Sequence, residues 1–402
     1  MASKRDTKSL DLFTKTASAM PDAYYSGDKP NPNLRAFVEQ HYKRRELDQT
    51  TDSYDKPPFN TPLQTTKVDP IYNLHPYDSK KSHLAIRRYI NHYCKPGDLV
   101  LDPFCGSGST LVAASAEGCP SIGVDFSPLA LLISREAVSA CSSTALDEAF
   151  ARVTRLVEGP IGDLYATRCH RCGGPATITG TVLSEQFQCL RCLTTQPFSQ
   201  CTETENDRTR LCRQCAARGI ESKITTSFER KGVAIVEVAY RCHGACKPKR
   251  DRRSLEDVDP KACRALKEDI EHFQSIEVTM PIPDGVRRRM LDAPEAMERW
   301  GLLWRPYLRG FNTVADFFTP RNLQACLLLL EAIRNTRNEA LLVALSSVLA
   351  KSSHLMAQNS DGIGRVMKGT YYVGAIRREV NVWQFFCEAV QALKDTKEDI
   401  AS

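Results

Sequence analysis

Long apolar runs are missing from this 402-residue sequence. None approaches the ~18 residues that a membrane-spanning helix needs. The apolar segments at 327–330 and 341–345 have the length of helix-core stretches. The opening Met1-Ala2-Ser3-Lys4-Arg5-Asp6 leads into no apolar stretch, so no export signal is expected. A strong charge of one sign is missing too: 54 Lys and Arg stand against 48 Asp and Glu, a formal net charge of +6. That balance permits contact with nucleic acid without demanding it. These absences give the expectation of a soluble, cytoplasmic protein with no membrane partner. The length predicts two or three domains, each with a core of its own.

Two nucleotide signatures are also missing at the one place that invites them. The apolar run Leu99-Val100-Leu101 enters Asp102-Pro103-Phe104-Cys105-Gly106-Ser107-Gly108-Ser109-Thr110. The pattern predicts a strand over 98–102, a glycine turn and a helix over 109–117. Such a unit presents free backbone N–H groups, and a Cβ in the turn would block a ligand's approach to the main chain. A second strand over 121–125 ends in Asp125, and a carboxylate there can accept from both hydroxyls of a ribose. A dinucleotide fingerprint would need a third glycine where Leu111 stands, and a phosphate loop would need a Gly-Lys-Ser/Thr ending that is absent. S-adenosylmethionine, which carries no phosphate, is the cofactor candidate that remains. The plain alternative is a tight turn with no ligand.

Sixteen cysteines in a chain without an export signal point to metal rather than disulfides. Cys169-x2-Cys172 followed by Cys189-x2-Cys192 has the spacing of a four-thiolate zinc ribbon, with Gly173-Gly174 supplying the first turn. Cys212-x2-Cys215 with Cys242-x3-Cys246 forms a second set, in which His243 can replace one thiolate. Cys201 is a spare between the sets. Cys94, Cys119, Cys141, Cys263, Cys326 and Cys387 read as small core hydrophobes, and Cys105 as a residue chosen for its size in the turn.

Over about residues 68 to 135 the sequence resembles the S-adenosylmethionine-dependent DNA amino-methyltransferases, which methylate N6 of adenine or N4 of cytosine. The turn differs from the family motif only at Ser109. Asp69-Pro70-Ile71-Tyr72-Asn73-Leu74-His75-Pro76-Tyr77-Asp78-Ser79-Lys80 resembles the segment that closes over the methionine end of the cofactor, and Lys95-Pro96-Gly97-Asp98 the lead-in to the first strand. Asp316-Phe317-Phe318-Thr319-Pro320-Arg321-Asn322-Leu323 and Gly369-Thr370-Tyr371-Tyr372-Val373 resemble a zinc-ribbon-bearing branch. The resemblance implies an α/β chain: a partial Rossmann-like S-adenosylmethionine methyltransferase fold with inserted zinc ribbons and a helical C-terminal region. It implies that Asp102, Gly106 and Gly108 hold the methionine end, with Phe104 and Tyr77 also at the cofactor. Asp125 would then hold the ribose, and Phe126 would flank the adenine.

The expected organisation is a polar arm over 1–66, a cofactor half-fold over 67–165, a cysteine module over 166–250 and a mainly helical region over 251–402. Within it, helices are predicted near 82–93, from Pro128, over 151–165, over 319–357 from Pro320, and over 381–394, with a strand over 232–238. Basic residues collect at 241–253 and again at Arg287-Arg288-Arg289. They fit a phosphate-contacting surface or an ordinary solvated run.

One motif of the family is not found. Ser/Asn/Asp-Pro-Pro-aromatic accepts from the target amine and stacks the flipped base, but Lys56-Pro57-Pro58-Phe59 offers a lysine, which donates and cannot accept. That segment reads as structural, or as a linker. Two further strands expected of the family are not found either. The reading is therefore the cofactor-binding and zinc-ribbon part of a DNA methyltransferase, with DNA as partner and S-adenosylmethionine and zinc as cofactors. A second polypeptide or a further C-terminal part would carry the acceptor motif, so no catalytic residue is assigned. The alternatives are a catalytically silent zinc-ribbon DNA-binding subunit, and an RNA or protein methyltransferase.

Overall fold

The computed structural model describes residues 34–41, 55–63, 69–139, 143–204, 210–224, 229–290, 309–358, 364–366 and 371–401. Its elements begin with α1 (Leu34–His41), α2 (Pro70–Asn73), α3 (His83–Tyr93), β1 (Val100–Asp102), α4 (Ser109–Ala116), β2 (Ser121–Gly123), α5 (Pro128–Val138) and α6 (Ser143–Leu164). There follow β3 (Ala166–Arg168), β4 (Pro175–Gln188), β5 (Thr195–Pro197), β6 (Thr202–Glu203), β7 (Arg210–Leu211), α7 (Arg213–Ala216), β8 (Glu229–Cys242) and β9 (Arg250–Ser254). The last are α8 (Pro260–Ser275), α9 (Asp284–Arg287), α10 (Pro320–Thr336), α11 (Glu339–Leu349), β10 (Met356–Gln358), β11 (Gly364–Val366), β12 (Ile376–Val380) and α12 (Val382–Ala401). None of the described helices is long and apolar enough to cross a membrane.

The chain packs into two units, and both are discontinuous. One comprises 1–152, 333–347 and 388–402; the other comprises 153–332 and 348–387. The contiguous blocks expected from composition do not coincide with them, because long-range packing recruits segments from the far end of the chain.

The first unit holds the strand–turn–helix segment around the glycine turn. Strands β1 and β2 pair in parallel, Val100 with Ser121, Leu101 with Ile122 and Asp102 with Gly123. One face of this two-stranded sheet is covered: Val100 packs with Ile86 and Ile90 of α3 and with Ala113 and Ala114 of α4. The small alanines let helix and sheet approach closely. Helix α5 begins where Ser127 Oγ accepts from the Ala130 amide at 3.4 Å with Pro128 in its first turn, and it buries Leu132, Ile133 and Ala137. On the opposite side Leu101 is 62% and Val124 51% exposed. His75 is buried; its Nδ1–H donates to the Pro76 carbonyl, and Nε2 lies 3.0 Å from Ser346 Oγ.

The second unit is built on an antiparallel sheet ordered β11-β10-β12-β4-β8-β9, with β3 and β5 also pairing to β4. Its spine is the pair β4 and β8, each 14 residues long. Helix α8 starts at the Asp259 cap and Pro260, and its Asp269 carboxylate accepts from Arg253 Nε at 2.6 Å inside the unit. Buried Arg321 on α10 pairs with Glu379 of β12 and donates to Thr181 Oγ1 of β4 at 2.8 Å. Its guanidinium also lies over the rings of Tyr165 and Phe273. A buried guanidinium is tolerated only when its donors are satisfied in this way.

One sequence expectation needs correction here. The helical pattern predicted over 319–357 stops at Leu349, and Met356–Gln358 is a strand. Beside the helices α8 to α12, the region 251–402 also supplies β10, β11 and β12 to the sheet. Short strands with mixed polar and apolar residues, such as Ile376-Arg377-Arg378-Glu379-Val380, carry no clean alternation. Here both faces are loaded with charge that only the fold neutralises.

Candidate functional site

The glycine turn is held by backbone bonds between the ends of β1 and β2. Val124 donates to the Asp102 carbonyl at 2.9 Å, Cys105 to the Val124 carbonyl at 2.9 Å, and Gly108 to the Cys105 carbonyl at 2.8 Å. Gly106 (φ +51°) and Gly108 (φ +81°) occupy the left-handed region that glycine alone enters freely. Gly108 is also the cap of α4, so the first amides of that helix carry no side-chain partner at the cap. A Cβ on Gly108 would stand 2.8 Å from Ser134 Cα, and one on Gly106 would stand 3.1 Å from Tyr77 Cε1.

The turn brings the predicted residues together. Tyr77 lies against Gly106. Asp125 Oδ2 accepts from the Gly106 amide at 2.8 Å, and its Oδ1 accepts from the Ser127 amide at 2.9 Å. Asp102 Oδ1 accepts from the Phe104 amide at 3.0 Å. Burial, and then the nearby Asp125 carboxylate, raise the Tyr77 phenol above its usual 10, so it stays a donor. Phe104 and Phe126 project into solvent, 85% and 103% exposed. Cys105 is buried and its thiol is pushed up to about 11 by burial, consistent with a residue kept for its size. The turn thus sets Gly106 beside Tyr77 and the Asp125 carboxylate, and its glycines leave the main chain open to close approach.

The segment leading to Tyr77 ties itself down. Asp69 accepts from the amides of Ile71 and Tyr72 as the cap of α2, and its other oxygen lies 3.1 Å from His83 Nδ1. Lys80 Nζ donates to the Ile71 carbonyl at 3.1 Å over the Tyr72 ring, and burial lowers its ammonium to about 8. The Pro-Pro segment packs on α3. The Phe59 amide donates to Tyr93 Oη at 2.8 Å, and its ring packs 4.7 Å from that of Tyr89 on α3.

The eight candidate ligand cysteines gather as two groups of four, but not in the expected partition. Cys169, Cys172, Cys242 and Cys246 form one group; Cys189, Cys192, Cys212 and Cys215 form the other. The pairing of Cys169 and Cys172 with Cys189 and Cys192 is therefore overturned. The reason is the strand between them: at about 3.3 Å per residue, the 14 residues of β4 hold its ends roughly 45 Å apart. Antiparallel β8 instead returns Cys242 opposite Ala176, beside the first knuckle. The Sγ separations of 3.6 Å (Cys169–Cys246 and Cys172–Cys242), 3.6 Å (Cys192–Cys212) and 3.9 Å (Cys189–Cys215) suit tetrahedral ligation. Four sulfurs at about 2.3 Å from one zinc would lie roughly 3.8 Å apart.

His243 is outside the group, with Nε2 2.8 Å from Thr177 Oγ1. Tyr240 Oη reaches Cys169 Sγ at 3.6 Å and Ser222 Oγ reaches Cys189 Sγ at 3.4 Å, partners that no spacing signals. Burial opposes ionisation of Cys169, but backbone amides, the Tyr240 hydroxyl and the neighbouring thiol outweigh it and bring the thiol down to about 6. Cys201 is a buried spare, Cys119 and Cys326 are buried, Cys94 and Cys387 are half-buried, and Cys263 is exposed rather than in a core. Cys141 lies outside the described residues.

Residues 3–136 match the family model of the N6/N4 DNA methylase. The type II methyltransferase M.MjaII of Methanocaldococcus jannaschii is 33% identical over 75 residues, 19% of this chain and 14% of its own length. The type II methyltransferase M.EcaI of Enterobacter cloacae is 47% identical over 49 residues, 12% of this chain and 11% of its own length. This chain thus covers only a small part of either relative. No solved structure matches it. The matched segment contains β1, the glycine turn, β2 and most of α5, and over that segment the chain is similar to the N6/N4 DNA methylases.

Proposed function

We propose that the first unit is the S-adenosylmethionine-binding part of a DNA methyltransferase that acts on N6 of adenine or N4 of cytosine. The observation that carries this reading is the cradle formed by Gly106 and Gly108 between Tyr77 and Asp125, inside the family match. S-adenosylmethionine supplies an electrophilic methyl on its sulfonium when bound. Gly106 and Gly108 give its methionine end room to approach the backbone, Asp125 offers acceptor oxygens toward the ribose, and Phe126 presents a ring for the adenine. Positioning and exclusion of water are the contributions a site of this kind makes.

Catalysis needs a further segment, in the same polypeptide or in a second one. It would bring an acceptor for the target amine and cover the exposed Leu101 and Val124 face of the two-stranded sheet. Two parallel strands bury too little to form a sheet core alone. The two cysteine groups would each hold a zinc ion, fixing both ends of the β4–β8 pair. Isothermal titration of the purified chain with S-adenosylmethionine tests the reading. Saturable binding at one site per chain is expected, and absence of binding would leave the silent DNA-binding subunit as the better account.

A further inference from the structure

The strand that carries Cys242 contains an arrangement that costs stability in isolation. In the β8–β9 ladder Arg241 stands directly opposite Arg250, while across β4 it faces Thr177. Both arginines are exposed. Like charges directly opposite in an antiparallel pair repel, and neither guanidinium is paired with a carboxylate among the described residues. The nearest acid in sequence does not help. Asp251 follows Arg250, but the period of two turns it to the other face. There it accepts from Tyr240 Oη at 3.2 Å and pairs with Arg171 Nε at 2.6 Å.

The same two arginines line a recess of about 330 Å3 with Cys242, His243 and Lys249, and among the described residues no acidic side chain contributes to its wall. His243 is held in place through Thr177 Oγ1, and the Lys249 ammonium donates to the Gly244 carbonyl. A rigid knuckle thus sets two forked guanidinium groups and a lysine around one concave spot. Forked donors match the oxygens of phosphate, and the repulsion between the arginines is relieved when an anion sits between them.

We propose that this recess binds the sugar–phosphate backbone of duplex DNA. The identity of the partner rests on the methyltransferase reading, whereas the anion preference rests on charge and shape alone. Phosphate contacts position a protein without selecting bases, so the contribution is expected to be independent of sequence.

The test is fluorescence-anisotropy titration of a labelled duplex with the full metal-loaded chain across a salt series. The wild type is compared with Arg241→Gln/Arg250→Gln, with Arg241→Lys/Arg250→Lys, and with Lys261→Gln/Lys267→Gln on the exposed side of α8. The Gln pair should weaken binding at least about tenfold and lower the log–log salt slope by roughly 2, the loss of two phosphate contacts. The Lys pair should keep most of the slope, and the α8 pair should behave as wild type. An unchanged slope for the Gln pair overturns the proposal, as does a wild type that binds no duplex, or one that prefers a structured RNA of equal length. Calorimetry with S-adenosylmethionine on the same samples separates the two readings. Cofactor binding with an unchanged Gln-pair slope removes the recess alone. Slope loss without cofactor binding keeps the recess and removes the methyltransferase reading.

Discussion

The Asp125 carboxylate accepts from the amides of Gly106 and Ser127, so it closes the glycine turn onto the start of α5. Asp125→Ala should weaken S-adenosylmethionine binding by about 2 kcal/mol, because a charged acceptor is lost from both turn and ligand. Equal affinities by calorimetry would take Asp125 out of the site. Gly108 is under a steric constraint as well as a torsional one, with φ +81° and Ser134 Cα 2.8 Å from a would-be Cβ. Gly108→Ala should cost roughly 3 kcal/mol in denaturant unfolding, and a neutral result would mean that α5 gives way easily. His75 contributes to the pH dependence of this unit, beside His83 and Lys80, which burial also lowers. Burial lowers the His75 imidazole from the usual 6.5 to about 4. The unfolded chain therefore takes up the proton first as the pH falls. The stabilisation is complete above 6.5 and is lost on the way down to about 4, a difference of about 3 kcal/mol in all. Unfolding curves of the wild type and His75→Gln at pH 7 and pH 4.5 should converge at the lower pH, and parallel offsets at both would contradict the assignment.

At the scale of elements, the length of β4 decides the chemistry of the cysteines. Each Cys-x2-Cys was legible as a knuckle because its two sulfurs are fixed by a local turn. The partner of each knuckle was not legible, because it depends on which strand returns to which end. The nested partition predicts a pattern of metal loss. Cys172→Ser and Cys242→Ser should each remove one zinc, and their combination should still remove only one. Cys172→Ser with Cys192→Ser should remove both, since structural zinc sites need all their thiolates. Elemental analysis of protein purified without chelator reads this directly. A combined Cys172 and Cys242 variant that loses two ions would restore the sequential pairing.

For the whole molecule, the decisive measurement is methyl transfer. Tritiated methyl incorporation into mixed-sequence DNA should be undetectable with this chain alone. It should appear when a polypeptide carrying an Asp-Pro-Pro-Tyr type of motif is supplied. Affinity for cofactor by itself stabilises ground and transition states alike and gives no rate. Robust transfer by the chain alone would mean that an acceptor lies somewhere in these 402 residues. Lys56-Pro57-Pro58-Phe59 is a poor candidate for it, because Phe59 is already committed to Tyr89 and Tyr93 on α3.

The sequence by itself determined the features that short stretches of chain encode. The glycine turn between β1 and α4, the acid after β2, the Pro-led starts of α5 and α10, and the four paired cysteine knuckles all depend on torsion, capping or ligand type within a few residues. Only the tertiary structure decided which knuckles lie together, that β12 and β10 from the last third of the chain complete the sheet around β4, and that Arg241 and Arg250 face each other across a ladder. Those outcomes depend on strand length and on contacts between residues up to two hundred positions apart. No local propensity carries that information, because the free energy of such contacts exists only once the intervening chain has closed.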